Sequence, residues 1–430
     1  MKSEVAIIGG GWAGIACAVE LADHAIPVTL FDAAKQLGGR ARRVDWQGMA
    51  IDNGQHLMIG AYRETLHLMK RLNTMQKLER RRLELHVPGF RLRLRKLPAP
   101  LHLAVGLLFA HGLNLRNKVA AANFMRHLQA IDFILETDIS ASALLARHKQ
   151  PAEVLERLWN PICIAALNTP ADVASGQVFC NVLRDSLAGT RADSDVLMNR
   201  ADLGELVADA ALVYLGQRQC EVRLSSKIEA IERTDSGFQL KGCDFSAKQV
   251  VLAAHPARLP TLLSELPEMA YIVSQINRFT WQPILTLWLH FAAAPHFPFP
   301  MLGLGDSTAP WAFERNDIAP GMVAIVMSAE GPHLQLAPEH LRDAYLILLA
   351  QQLGPLPELL DWKTIIEKRA TYACVPNMQR PSNRTPINGL YLAGDYTTDS
   401  IPSNSYPATL EGAVRSGVEC ARLIIANQKR

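Results

Sequence analysis

An α/β fold, in which a Rossmann-like domain is interleaved with a mixed α+β domain, is predicted by three observations. An apolar strand, Val5-Ala6-Ile7-Ile8, runs into glycines at 9, 11 and 14. A second apolar strand, Pro27–Phe31, ends on Asp32, eighteen residues beyond Gly14. Near the other end of the 430-residue chain, a further apolar run closes on Gly394-Asp395 and is followed by a helical pattern.

Taken in order, the first strand reads as buried because its four residues are apolar and mostly branched or small. Gly9, Gly11 and Gly14 then stand in G-x-G-x-x-G spacing. The first allows a tight turn, the second lets backbone approach a pyrophosphate, and the third lets a helix from Trp12 pack closely on the sheet. The positive end of that helix is where a dinucleotide phosphate would sit. Asp32 is placed to accept hydrogen bonds from an adenosine ribose. Ala33 and Ala34 follow it, where a basic residue would have pointed to a 2′-phosphate.

Next comes Leu37-Gly38-Gly39-Arg40. On its residues alone, Arg40 belongs to a solvated basic face with Arg42 and Arg43. The stretch resembles the one that follows the ribose-binding acid in the flavin-containing amine oxidase and phytoene desaturase superfamily. That resemblance implies that Gly39 lies along the cofactor and that the planar fork of Arg40 meets its phosphates. A hairpin around Gln47-Gly48 leads to Asp52-Asn53-Gly54-Gln55-His56, followed by Gly60-Ala61-Tyr62. Asn-Gly is a turn former by itself. The whole string, however, is similar to the hydroxysqualene dehydroxylase family of bacterial hopanoid pathways. The resemblance implies that Asn53, Gly54 and Gln55 pass along the flavin ring. His56 is the candidate proton donor, against the plainer reading of a loop-ordering histidine.

Between Lys70 and Lys96 stand ten Lys and Arg residues against Glu79 and Glu84. The apolar segment 97–113 follows, flanked by Arg116 and Lys118, and is too short to span a bilayer. This pattern predicts peripheral contact with an anionic membrane, or a core helix beside a solvated basic face. Nucleic acid is not expected, because the alternating Arg91–Arg95 run carries no aromatic stacking platform. Residues 115–190 read as mostly helical, with Phe124, Leu128, Ile131 and Leu135 as a core stripe. Pro161 and Pro170 are expected to break the chain on either side of a short helix. Trp159–Pro170, including Asn168, again resembles the dehydroxylase family, where it belongs to the domain over the substrate.

Val222–Ile231, Phe238–Leu240 and Gln249–Ala254 read as strands, the resemblance placing the backbone of Ile228 on adenine. Aromatic residues at 291, 297, 299 and 311 line an isoprenoid tunnel or fill an ordinary core. Gly389–Thr397 and Tyr406–Gly417 resemble the superfamily's second flavin signature. Gly394 and Asp395 would hold the ribityl and phosphate region, with the helix start at Thr409 and Leu410 facing the flavin's electron-accepting edge. The loop from Tyr396 to Pro407 lacks cysteine, so the FAD is expected to be non-covalent.

The boundaries that follow are 1–60, 196–265 and 366–430 for the FAD-binding domain, and 61–195 with 266–365 for the substrate domain. Net charge of only +3 predicts no polyanionic partner in bulk, and 49% hydrophobic residues can bury a large core. Seven scattered cysteines without metal-ligand spacing fit a reducing compartment. With no leader at Met1 and no twenty-residue apolar run, the expected location is cytoplasmic, at the inner face of the membrane. The resemblance implies an FAD enzyme that removes the hydroxyl of hydroxysqualene, an apolar isoprenoid, to give squalene. A carotenoid-type desaturase, an amine oxidase and a non-redox GDI-like prenyl-binding protein are the alternatives on the same architecture.

Overall fold

The computed structural model describes residues 4–305, 309–398 and 401–428. Met1–Ser3, where no leader is read, and positions 399 and 400 of the loop before the last helix lie outside them. The apolar runs assemble a five-stranded parallel sheet in the order Glu221–Arg223, Val28–Phe31, Val5–Ile8, Gln249–Leu252, Leu390–Leu392. The three central strands are almost wholly apolar because a parallel sheet is covered on both faces. Ile8 pairs with both Phe31 and Leu252, so one edge of the sheet carries the glycine turn, Asp32 and Ala253 together.

The first helix, Trp12–Asp23, has ten buried residues of twelve, as a helix covered on every side must. Its outer cover is the last helix, Leu410–Gln428. Their backbones meet so closely that a Cβ on Gly417 would stand 2.1 Å from the carbonyl oxygen of Ala13. The two ends of the polypeptide are thereby one packing unit.

Two further layers build the rest. The hairpin expected around Gln47-Gly48 pairs Arg43–Trp46 with Met49–Asp52, and both turn residues have positive φ, as a tight two-residue hairpin requires. A second five-stranded sheet is antiparallel, ordered Met301–Gly303, Trp311–Glu314, Met322–Ser328, Trp281–Phe291, Leu359–Tyr372. Alternation divides its faces. Leu285, Leu287, Leu289, Val323 and Ile325 pack with Leu341, Tyr345 and Leu349 of the helix Pro338–Leu353. Ile284, Thr286 and Trp288 point to the opposite face.

Three expectations need correction. Val222–Ile231 is not one strand: Glu221–Arg223 ends in a turn with Ser225 at φ 51°, and Ala230–Thr234 enters a separate antiparallel sheet. Amides of Ser225 and Ser226 donate to the carbonyls of Ala34 and Asp32 there, so the chain is drawn across the loop that follows Phe31. The core stripe stops early, since the helix Leu115–Ala130 is followed by Asp132 and Phe133 at positive φ, leaving Ile131 and Leu135 outside it and half-buried. Finally, Pro161 does not break its helix. Residues 152–167 are continuously helical, and the missing Pro161 N–H is accommodated beside a widened turn at Leu155–Trp159.

Replacing Gly417 by Ala should force the first and last helices apart. We expect a loss of roughly 1–3 kcal/mol, read as a lower Tm of the intact protein; an unchanged Tm would mean that the two helices separate without penalty.

Candidate functional site

The glycine turn is held by its own backbone. Gly9 adopts φ 112° and donates to the Phe31 carbonyl at 2.8 Å, and a Cβ on Gly14 would fall 1.9 Å from the Gly9 oxygen. Neither position tolerates a side chain. Asp32 accepts from the amides of Gly10 (2.6 Å) and Ala34 (2.7 Å), which fixes its carboxylate against the turn. A second glycine segment crosses the first, with Gly38 N–H donating to Gly10 and a Cβ on Gly39 lying 3.0 Å from the Cα of Gly11. No side chain caps the start of the first helix and no acid stands in its first turn, so its amide end is left for an anion.

A cavity of about 600 Å³ begins here. Gly9, Gly11, Asp32, Gly39, Arg40, Asn53, Gly54, Gln55, His56, Ile228, Gly394, Asp395, Thr409 and Leu410 all line it. Gly14 does not; it lies behind the turn. Arg40 Nη2 donates to both carboxylate oxygens of Asp395 (2.7 and 2.8 Å) and Nη1 donates to the Ala370 carbonyl, so the residue joins segments 355 positions apart. Asn53 donates to the Arg40 carbonyl at 2.5 Å and accepts from the Arg42 amide, bracing the arginine's backbone. The Thr409 hydroxyl accepts from the amide of Gly412 and so caps the last helix. Just beyond it, buried Glu411 accepts from the amides of Glu64 and Thr65 and from the Thr65 hydroxyl.

One supporting group was invisible in the sequence. Arg315 is 1% exposed and donates to Asp52 (3.3 Å), Asp317 (3.0 Å) and the side-chain oxygen of Gln55. It fastens both ends of the Asp52–Gln55 loop from 263 positions away. Burial raises the Asp52 carboxyl to about 6, against the opposing pull of Arg315. A motif reading offers no signal for Arg315, because the pairing is made only by the fold.

Electrostatics bears on the role expected of His56. Its ring faces the cavity, where burial first and the Arg40 charge second lower its pKa to about 4. That favours the uncharged imidazole, which would have to take up a proton before it could give one. His255, also lining the cavity, is lowered to about 4 by burial and then by Arg40; its Nδ1 accepts from Ala257, leaving Nε2–H to face the Arg369 carbonyl.

Beyond the polar end the wall is apolar: Leu83, Leu85, Ile162, Val182 and Leu187 face the sheet residues Met301, Trp311, Phe313 and Val326. Of the aromatic residues named above only Trp311 lines it. Phe299 stacks on His86, and Phe291 and Phe297 belong to the core on the other side of the sheet. Asn168 touches the cavity, but its amide ties strands together, donating to Thr371 Oγ1 (2.9 Å) and accepting from the Ala329 amide (2.6 Å). Glu367 lies opposite Ile284 on the cavity-facing side of the sheet. The cavity carboxylates are Asp32, Asp395 and Glu367; among the described residues, Glu367 is the one whose carboxylate has no hydrogen-bonding or ionic partner. No group of three His, Cys, Asp or Glu residues able to hold a metal occurs among the described residues.

The chain is 25% identical to a hydroxysqualene dehydroxylase of Rhodopseudomonas palustris, the match covering 99% of each. It is 26% identical to a zeta-carotene desaturase of Synechocystis, covering 99% of this chain and 98% of the relative. Its fold superposes on the cyclohexylamine oxidase of Brevibacterium oxydans with a TM-score of 0.74 over the full length of both, at 16% identity. The uncapped helix end, the crossed glycines and the Arg40–Asp395 pair on one cavity fit FAD, the cofactor of this group. Residues 12–425 match the family of flavin-containing amine oxidoreductases, and the chain belongs to that family as an FAD-dependent oxidoreductase.

Proposed function

We propose that this enzyme removes the hydroxyl of hydroxysqualene, or a closely similar allylic isoprenoid alcohol, to give the hydrocarbon. The observation that carries this reading is the cavity itself, which runs from the Gly11, Asp32 and Arg40 end into a wall of Leu, Ile, Val, Met and Trp side chains. The full-length likeness to proteins named hydroxysqualene dehydroxylase supports it. Gly9, Gly11, Gly39 and the first helix would hold the pyrophosphate of FAD, Asp32 the ribose and Ile228 the adenine. Asn53, Gly54 and Gln55 would lie along the ring, which the start of the last helix at Thr409 and Leu410 would face. Reduced FAD supplies the hydride in such a reaction.

The chain's own part is to exclude water, align the alcohol and supply one proton. The C–O bond breaks as the hydroxyl accepts that proton and departs as water; hydride then completes the C–H bond. Glu367 is assigned the donor's role in place of His56 because its carboxyl faces the chamber with no hydrogen-bonding or ionic partner among the described residues. The desaturase reading has support of its own in the similarity to carotene desaturases. It would pass electrons in the opposite direction.

Protein reduced anaerobically with dithionite and given hydroxysqualene should yield squalene while the oxidised flavin spectrum returns, in equal amounts. Failure with hydroxysqualene, together with phytoene desaturation in the presence of an oxidant, would favour the desaturase. Glu367→Gln should slow this single turnover by roughly 10²–10⁴-fold, the usual span for a lost general acid, and leave flavin reoxidation by oxygen unchanged. His56→Gln should leave the turnover within a few-fold of the parent.

The same substitution tests the protonation state. Unfolded histidine binds a proton near pH 6.5, whereas folded His56 refuses it until about 4. Stability contributed by neutral His56 is therefore whole above pH 6.5 and is lost as pH falls toward 4. His56→Gln should lose less Tm across that window than the parent at equal flavin content; parallel curves would mean that His56 is ordinarily charged.

A further inference from the structure

The sequence from Leu85 to Ile131 contains no Asp or Glu and seven Lys or Arg residues, at 91, 93, 95, 96, 116, 118 and 126. Two of them, Arg91 and Arg93, are paired with Glu84. Arg95, Lys96, Arg116 and Lys118 have no acidic partner among the described residues. The helix expected from the apolar run 97–113 is short, Leu101–Leu108, and it buries His102, Gly106 and Leu107 while presenting a stripe to solvent. Leu101 is 50% exposed, Leu108 54%, Phe109 60%, and Leu115 and Val119 on the next helix 68% and 49%.

These side chains form a single surface. Lys118 Nζ donates to the Leu108 carbonyl at 2.7 Å, drawing the two helices together, and the Arg95 guanidinium lies 5.2 Å from the Phe109 ring centre. Five large apolar residues standing in water beside unpaired cations are out of place on an ordinary solvated face. Their reverse side borders the cavity. His102 Nε2 lies 3.3 Å from the hydroxyl of Ser194, and the Leu94 amide donates to Leu83; Ser194 and Leu83 both line the apolar end of the chamber.

We propose that this face, Leu101, Leu108, Phe109, Leu115 and Val119 ringed by Arg95, Lys96, Arg116 and Lys118, docks on an anionic lipid surface. The occupant follows from charge. A protein partner of matching shape would need a dense acidic rim, whereas a lipid headgroup layer offers negative charge around an apolar interior everywhere. No helix among the described residues is long and apolar enough to cross the membrane, so the contact is peripheral. Passage of an isoprenoid from the bilayer into the chamber rests on the function proposed above; the docking does not.

Co-sedimentation of the intact flavoprotein with vesicles tests this. It should bind phosphatidylglycerol–phosphatidylcholine vesicles at low salt, and at least about tenfold more weakly to phosphatidylcholine alone or in high salt. Leu108→Ser with Phe109→Ser, and separately Lys96→Glu with Arg116→Glu, should each weaken binding by about tenfold or more. Both variants should keep their flavin spectrum and their turnover of detergent-dispersed substrate. Absent binding to anionic vesicles, unaltered binding by both variants, or a solution dimer that the Leu108/Phe109 variant dissolves would overturn the proposal, the last by showing that a second copy covers the face. Vesicle binding without conversion of hydroxysqualene would sink the substrate assignment and leave the docking surface standing.

Discussion

The pairing of Arg40 with Asp395 is the constraint on which the site depends. Asp395 is 6% exposed, so its carboxylate leaves water only because a guanidinium engages both oxygens. The pair also fixes a topological relation. Arg40 follows the second crossing glycine, Asp395 follows the fifth strand of the parallel sheet, and the two meet only when that strand has been added beside Gln249–Leu252. The cavity's polar end therefore exists once the chain's opening and closing segments have docked, and the close contact of Gly417 with Ala13 holds them in that relation.

A positive charge at that point shapes the chemistry around it. Burial first and the Arg40 charge second lower both His56 and His255, which favours the neutral form of each imidazole lining the chamber. A second cation, buried Arg315, is spent on Asp52, Asp317 and the side chain of Gln55, and so acts on the Asp52–Gln55 loop by positioning it. Along the sheet that walls the chamber, Ile284, Met301, Trp311, Phe313 and Val326 are apolar and Glu367 is the charged side chain among the described residues. Such a division, charge clustered at one end and hydrocarbon at the other, is what a dinucleotide and an isoprenoid would together demand of one cavity.

How much of this was legible depended on sequence distance. The glycine turn, Asp32 and the Gln47-Gly48 hairpin are local decisions of backbone sterics, and they could be read from consecutive residues. Ile228 could be placed beside the cavity only through a family likeness, because the expected strand splits at Ser225, where the amides of Ser225 and Ser226 donate to the carbonyls of Ala34 and Asp32 nearly two hundred residues earlier. Arg315 and Glu367 could not be read at all. Their meaning comes from where an antiparallel sheet places them: Glu367 by register with Trp281–Phe291, and Arg315 just past Trp311–Glu314, its amide donating to the Met322 carbonyl. Aromatic residues misled for the same reason: alternation sends Phe291 to one side and Trp311 to the other.

The type of acid follows from the same field. A histidine that donated its proton would have to be charged beforehand, beside Arg40 and away from water, and both terms oppose that state. A carboxyl group that has taken up a proton is neutral before it donates and anionic afterwards. In the proposed reaction its charge would appear just as the departing water leaves positive charge on the allylic carbons, and the two charges would arise facing each other in a medium that screens them weakly. Water in the chamber would weaken that attraction and capture the cation. An apolar wall and an unpaired carboxyl are accordingly parts of one requirement, and the sheet face that carries Ile284, Val326, Trp311 and Glu367 meets both.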